Sequence, residues 1–265
     1  MKPVQVVVTP GDGIGPEVVA AGAQVLQDVA SLYDLQVTQI ERPLGGGSID
    51  RFGEPCTDEV LQDAQDADAV LLGAVGGPQW DDPSRDVRPE DGILAIRKSL
   101  GLFANLRPVR VFPSLINASP LKPEFLENVD MIVLRELTGG LYFGKPKKRW
   151  TTARGRRGVD TLKYTEAEIV RILRVGFELA IKRRKKLTSV DKQNVLESSR
   201  LWREIAIELG SEYPEVELEH MLVDNAAMQI IRNPSAFDVV VAENTFGDIL
   251  TDETSVLVGS MGMLP

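Results

Sequence analysis

VVVAENTFGDILTDE, residues Val239–Glu253, joins a β-branched apolar run to a stretch with four carboxylates, Glu243, Asp248, Asp252 and Glu253. Val239 to Val241 reads as a buried parallel strand, and Asn244 to Gly247 is turn-rich. A helix starting near Thr245 places Asp248 and Asp252 four residues apart, on one face and roughly 6 Å from each other, with Glu253 pointing elsewhere. Two adjacent carboxylates repel unless a cation lies between them, and hard oxygen ligands suit magnesium or manganese. A solvated acidic helix start, favoured by the helix macrodipole, accounts for the same residues. The stretch by itself leaves both open.

The strand-then-polar pattern recurs along the chain. VQVVVT, ADAVLLGAVGG, VDMIVLRE, KLTSVDK, LEHMLVDN and FDVVVAEN each begin apolar and finish on glycine, polar or charged residues. Helical patterns lie between them: one opened by Pro16, then DGILAIRKSLGL with Ile93, Ile96 and Leu100 on one side, then VLESSRLWREIAIEL and AAMQIIRN. Alternating strands and helices predict an α/β fold with a largely parallel sheet. Arg135, Lys192, Asp224 and Asp248 then fall at or just beyond the carboxyl ends of strands, the edge where open α/β sheets bind ligands. Two cations suit an anion, and two carboxylates suit a metal.

Composition narrows the function classes. The 265 residues are 43% hydrophobic and 26% charged, ordinary for a globular chain of one or two domains. A net charge of −9 argues against a general nucleic-acid or membrane-surface binder. The basic runs Lys145–Arg157 and Arg171–Lys186 read as a solvated loop and a helix terminus. Cys56 is the single cysteine, which excludes an internal disulfide framework and points to a reducing compartment. His220 is the single histidine, which makes a Ser-His-Asp hydrolase improbable and reads as a strand residue. With no signal peptide and no apolar run of spanning length, the expected location is cytoplasmic.

The glycines of TPGDGIGPE, Gly11, Gly13 and Gly15, follow a strand and precede a helix. Their G-x-G-x-G spacing is not the dinucleotide fingerprint, and no Lys-Ser/Thr pair follows, so a tight turn is favoured over a Rossmann loop.

GDGIGPEVV, GAVGGPQWD, RPEDGILAIRKSLGLFANLRPV, VLRELTGGLYFGKP, SVDKQNVLESSRLWRE, VDNAAMQII and ENTFGDILTDETSVLVGSMGMLP, taken in order, span nearly the whole chain. Together they resemble the β-decarboxylating dehydrogenases of the isocitrate/isopropylmalate family. The resemblance implies a two-domain α/β fold distinct from the Rossmann fold. Residues 1–102 plus 259–265 would form a cofactor-side domain. Residues 103–258 would form the substrate, metal and dimerisation domain, with an arm at about 140–160.

The resemblance also implies roles. Arg97, Arg107 and Arg135 match the family's arginines for a dicarboxylate substrate, and their planar forks suit bidentate contacts. Asp224, Asp248 and Asp252 match the ligands of Mg2+ or Mn2+, with Asp224 and Lys192 supplied by the neighbouring subunit of a homodimer. Asp224 also counts among the substrate contacts. Lys192 and Tyr142 match the proton-handling pair. Ile14, Gly76, Gly77, Asp81 and Glu90 match positions near NAD. Taken without the family, Arg97 reads as a solvated helix residue and Tyr142 as a packed aromatic.

The implied reaction is metal-dependent oxidative decarboxylation of 3-isopropylmalate to 4-methyl-2-oxopentanoate with NAD, a step of leucine biosynthesis. Members acting on isocitrate, homoisocitrate, malate or tartrate share the metal and arginine sites. Glu90, Ile93 and Leu94 match the positions that face the variable substrate group, and the last two present an apolar surface to an isopropyl group. Burying the extra carboxylate of isocitrate there costs far more than the ~1–3 kcal/mol gained per fitted methylene. Family members continue beyond the position of Pro265 into a loop that holds the cofactor's adenosine and selects NAD over NADP. The competing expectation is therefore a dimeric fragment with impaired catalysis.

Overall fold

The structure, a computed structural model, describes residues 3–82 and 86–260. The chain divides into two compact units, Met1–Leu102 and Phe103–Pro265. The segment 259–265, expected to return to the first domain, lies mostly outside the described residues. Gly259, which is described, sits against Ala118 of the second unit.

The first unit runs β1 (Val4–Gly11), α1 (Gly15–Leu32), β2 (Val37–Glu41), α2 (Gly46–Phe52), α3 (Asp58–Asp66), β3 (Ala69–Ala74) and α4 (Pro89–Ser99). Its strands form a parallel sheet ordered β2-β1-β3. Pro16 lies in the first turn of α1, where its missing N–H is not needed. The glycine-rich stretch before α1 is a tight turn: Gly11 and Gly13 have φ of 75° and 59°, which favours glycine. Asp12, buried in that turn, accepts from the backbone N–H groups of Gly46 (2.7 Å), Gly47 (2.8 Å) and Gly76 (2.9 Å). The side chain of Asp12 thus serves the start of α2 and the end of β3.

The second unit runs β4 (Ala104–Arg110), β5 (Asp130–Glu136), the hairpin β6 (Lys148–Thr152) and β7 (Gly155–Val159), then α5 (Glu166–Ile181), β8 (Lys186–Asp191), α6 (Glu197–Gly210), β9 (Glu217–Leu222), α7 (Val223–Arg232), β10 (Val239–Ala242) and α8 (Asn244–Val258). The main sheet is ordered β4-β5-β10-β8-β9, and only the β4–β5 pairing is antiparallel. β10 is central and fully buried, which explains its unbroken β-branched run. Its residues alternate between two cores. Val239 and Val241 pack with Phe177 and Trp202 under α5 and α6, whereas Val240 and Ala242 pack with Ile230, Leu250 and Leu257 under α7 and α8. Each large aliphatic side chain buried this fully contributes about 1.5–3 kcal/mol.

Local signals set the helix boundaries. Thr165 and Glu168 form a capping box at the start of α5. Glu243 accepts from the Phe246 N–H at 2.8 Å and so caps α8, which Gly259 ends in the left-handed region at φ 84°. Asn244–Gly247, read as turn-rich, is therefore the first turn of a helix.

The basic run Arg171–Lys186 is also corrected by the structure. Arg171 pairs with fully buried Glu136 at 3.0 Å, and Arg183 pairs with Asp238, 1% exposed, at 2.7 Å. A carboxylate taken out of water needs such a partner, so these arginines are structural rather than simply solvated. No helix among the described residues is long and apolar enough to cross a membrane.

Candidate active site

Arg135 lies one residue from the end of β5, in register with Asn105 of β4. Residues directly opposite in an antiparallel pair point to the same side, and Arg107, two residues past Asn105, shares that side. It is also the side of Met131 and Val133, which pack with Leu250 and Leu257 of α8. α8 can approach closely because position 247 is glycine: a Cβ there would meet the Cγ of Arg135 at 2.7 Å and its Cβ at 2.8 Å.

Arg135 is gripped from α8. Its Nε and Nη2 donate to Asn244 Oδ1 at 3.0 and 2.9 Å, and its Nη1 donates to Asp248 Oδ1. The other Asp248 oxygen accepts from the Tyr142 hydroxyl at 2.8 Å, and the Arg135 guanidinium lies 5.8 Å from the Tyr142 ring centroid. Tyr142 ends a 3-10 turn, Gly140–Tyr142, and is partly exposed. Burial raises its phenol above the ordinary value, and the hydrogen bond to Asp248 adds to the effect, so the hydroxyl keeps its proton. Arg107 donates through Nε to Asn105 Oδ1 at 3.1 Å.

Lys192 follows β8 directly and donates from Nζ to Asp224 Oδ1 in the first turn of α7. That hydrogen bond is the main reason the Asp224 carboxyl is held below its usual range. The turn carrying Lys192 is braced by buried Asp191, which accepts from Arg203 Nε at 2.8 Å and Nη2 at 3.1 Å and from the Gln193 N–H at 3.0 Å.

The hard-oxygen donors are divided. Asp248 and Asp252 are one helical turn apart on α8, and Asp252 is exposed. Asp224 stands with Lys192 instead. Among the described residues, no three His, Cys, Asp or Glu side chains gather into one cluster. Two carboxylates from one chain match the oxygen chemistry of Mg2+ or Mn2+ and leave the cation short of protein ligands. His220 lies on β9, as expected for a strand residue, and burial lowers its pKa.

In the first unit, Gly76, Gly77, Asp81 and Glu90 line one cleft of about 410 Å³, together with Val75, Pro78, Trp80, Asp82, Arg88 and Pro89. Ile14 does not line it. Ile14 sits exposed at the start of α1, next to Gly13, whose Cβ would lie 3.9 Å from the Gly76 carbonyl. On α4, Leu94 and Glu90 are exposed and Arg97 is half-buried in the last turn. Ile93 is partly buried against Leu44, Cys56, Val60 and Ile96, so Leu94 presents most of the apolar surface expected of the pair.

Residues 5–265 match the family model described as isocitrate/isopropylmalate dehydrogenase. The chain belongs to that family. It is 60% identical over 261 residues to 3-isopropylmalate dehydrogenase of Anaeromyxobacter dehalogenans (strain 2CP-C), covering 98% of this chain and 74% of that protein. Identity to the Bacillus subtilis (strain 168) protein of the same name is 56% over 262 residues, covering 98% and 72%. The crystal structure of isocitrate dehydrogenase from Methylococcus capsulatus superposes with a TM-score of 0.85 at 30% identity, covering 98% of this chain and 73% of that one.

Three positions in this family member escaped the sequence reading. Asn244 and Gly247 read as turn formers, but one orients Arg135 and the other makes room for it. Asp12 read as part of a glycine turn, and only its three backbone partners reveal that it holds two further segments.

Proposed function

We propose that the chain is a 3-isopropylmalate dehydrogenase that converts 3-isopropylmalate to 4-methyl-2-oxopentanoate and carbon dioxide with NAD and Mg2+ or Mn2+. The observation that carries this reading is the grouping of Arg135, Tyr142 and Asp248 at the carboxyl edge of the five-stranded sheet, with Arg107 on the same sheet face. That edge offers arginine forks for carboxylates, a phenol that keeps its proton, and an anionic ligand. The names of the relatives and the apolar surface of Leu94 support an isopropyl substituent over a third carboxylate.

Asp248 and Asp252 of one subunit would hold the cation with Asp224 of a second. The split between those carboxylates within one chain supports a site shared across a homodimer, with the β6–β7 hairpin as its arm. The first unit would carry the nicotinamide side, using Gly76, Gly77, Asp81 and Glu90 in the cleft and Ile14 beside it. Arg107 and Arg135 would bind substrate carboxylates, and Arg97 matches the family's further substrate arginine.

Held by Asp248 and Asp252 with Asp224 of a second subunit, a divalent cation would supply Lewis-acid polarisation that makes the substrate's hydroxyl easier to deprotonate. Lys192 would take the hydroxyl proton, directly or through water, and NAD, when bound, would supply the hydride acceptor for C2. The bond from C3 to its carboxylate then breaks, releasing carbon dioxide and leaving its electron pair on the enolate. Tyr142 delivers a proton to C3. Arginine forks fix the carboxylates so that each step starts from an aligned geometry.

The test is NADH formation from 3-isopropylmalate, isocitrate, tartrate and malate in parallel, with manganese present. Preferential turnover of 3-isopropylmalate is expected. Equal or better turnover of isocitrate would overturn the substrate assignment, and loss of none of the activity in Asp248→Asn would overturn the site.

A further inference from the structure

Asn244 is 1% exposed, and every polar group it brings to the sheet edge has a partner. Its Oδ1 takes two N–H bonds from Arg135, and its Nδ2 donates to the Gly139 carbonyl at 3.0 Å. These partners fix the amide, because a guanidinium offers only donors and a carbonyl only acceptors. Its backbone N–H donates to the Tyr164 hydroxyl at 2.9 Å, and that hydroxyl lies 3.2 Å from Glu136 Oε2. Glu136 Oε2 in turn accepts from the Gly139 N–H at 2.7 Å. Glu136, Gly139, Asn244 and Tyr164 therefore close a buried hydrogen-bonded ring, and its outward-facing acceptor holds Arg135.

The chemistry of the holder matters. An aspartate at 244 would accept the same two N–H bonds from Arg135. It would also turn its second oxygen toward the Gly139 carbonyl, add a negative charge near buried Glu136 and Glu243, and place a second carboxylate on an arginine already paired with Asp248. An amide aligns the guanidinium without adding a second carboxylate beside that of Asp248.

We propose that Asn244 is a positioning residue for Arg135: the neutral amide, locked by the ring, sets the guanidinium plane that receives a substrate carboxylate. The proposal rests on Arg135 being a substrate arginine, as set out above. It predicts that Asn244 acts on substrate recognition only through Arg135.

The experiment is a double-mutant cycle on the full chain, using Asn244→Ala, Arg135→Gln and both together, with KM for 3-isopropylmalate, KM for NAD and kcat measured separately. Asn244→Ala should raise the substrate KM by about tenfold to a hundredfold and leave the NAD KM unchanged. On the Arg135→Gln background it should change the substrate KM less than twofold, since coupled residues are not additive. Full additivity, or equal rises in both KM values, would overturn the proposal. If Arg135→Gln itself leaves the substrate KM unchanged, the assignment of Arg135 fails, and the Asn244 proposal falls with it as a distinct result. Should Asn244→Ala fail to fold, Asn244→Asp keeps the side-chain volume and replaces it in the cycle. A substrate KM raised at least tenfold by this change, again only when Arg135 is present, is expected. An unchanged KM in this variant would overturn the need for a neutral holder.

Discussion

Gly247→Ala isolates the close approach of α8 to Arg135. The added methyl would lie 2.7 Å from Arg135 Cγ, 2.8 Å from its Cβ and 3.2 Å from its Cα. Comfortable carbon–carbon contact begins near 3.5 Å, so Arg135 or the helix must move by about 0.8 Å. The crowded atoms are the root of the side chain, so no free rotation of a distal group relieves them. Overpacking of this kind costs about 1–3 kcal/mol, while replacing a helical glycine by alanine returns about 1 kcal/mol. The net loss of stability is therefore between zero and about 2 kcal/mol, a fall in Tm of no more than roughly 8 °C. Activity should suffer more. A misplacement near 1 Å costs on the order of a hundredfold, so kcat/KM for 3-isopropylmalate should fall about tenfold to a hundredfold. Gly22→Ala on α1 is the control, because its methyl would meet nothing within 4 Å. It should gain about 1 kcal/mol by helix propensity alone and leave turnover unchanged. Steady-state kinetics and thermal melts on both variants decide the matter. If Gly247→Ala behaves like Gly22→Ala, the glycine is not there to admit Arg135.

Four further outcomes are expected. Asp248→Asn should lower turnover strongly and raise the manganese requirement with the fold intact by circular dichroism; unaltered activity at limiting manganese would remove Asp248 from the site. Lys192→Met should abolish hydride transfer yet spare substrate affinity measured by calorimetry with metal present, because the arginines remain; lost affinity with residual turnover would make Lys192 a binding residue. Leu94→Asn should shift the ratio of kcat/KM for 3-isopropylmalate against malate by about 1–3 kcal/mol, whereas Ile93→Ser should chiefly lower Tm, since Ile93 packs against the first-unit core. Glu243→Gln tests a buried carboxyl whose pKa is raised, first by desolvation. The unfolded chain ionises in the ordinary range while the fold retains the proton, so this group's stabilising contribution is present below that range and is lost as pH rises through the raised value. The Tm of the variant minus that of the wild type should grow over that window, and a pH-independent difference would contradict the assignment.

The strand-end pattern was legible because burial on both faces leaves a clear mark: β10 reads as a β-branched run, and the charged residues that follow it cannot continue into the core. Legible too were the α/β alternation and the one-turn spacing of Asp248 and Asp252. The partners of those charges were not. Nothing local to Arg135 announces that Asn244, 109 positions away, will hold two of its nitrogens. The run Arg171–Lys186 looked solvated because its buried partners, Glu136 and Asp238, lie in other segments. Ile93 and Leu94 looked equivalent in sequence, and only packing against Leu44, Cys56, Val60 and Ile96 assigns one of them to the core.

Two aspartates, Asp12 directly after β1 and Asp248 on α8, show how a carboxylate locked by backbone differs from one held by side chains. Asp12 is buried, and its oxygens accept from three backbone N–H groups, which cannot move away without undoing the start of α2 and the turn after β3. A ligand would have to break the fold to reach it. Asp248 instead accepts from two side chains, an arginine fork and a phenol, and is itself part-exposed. Both partners pivot on side-chain bonds, and in the proposed reaction each has a second use: the fork for a substrate carboxylate, the phenol for a proton at C3. The side chains that hold Asp248 in the free chain are thus the same groups that the proposed reaction assigns to the substrate. Exchange of partners at Asp248 requires no change in the strands, whereas exchange at Asp12 would require dismantling them. That difference in partner type, rather than the number of acidic residues nearby, separates Asp248 on α8 from Asp12 and supports the role proposed for Asp248.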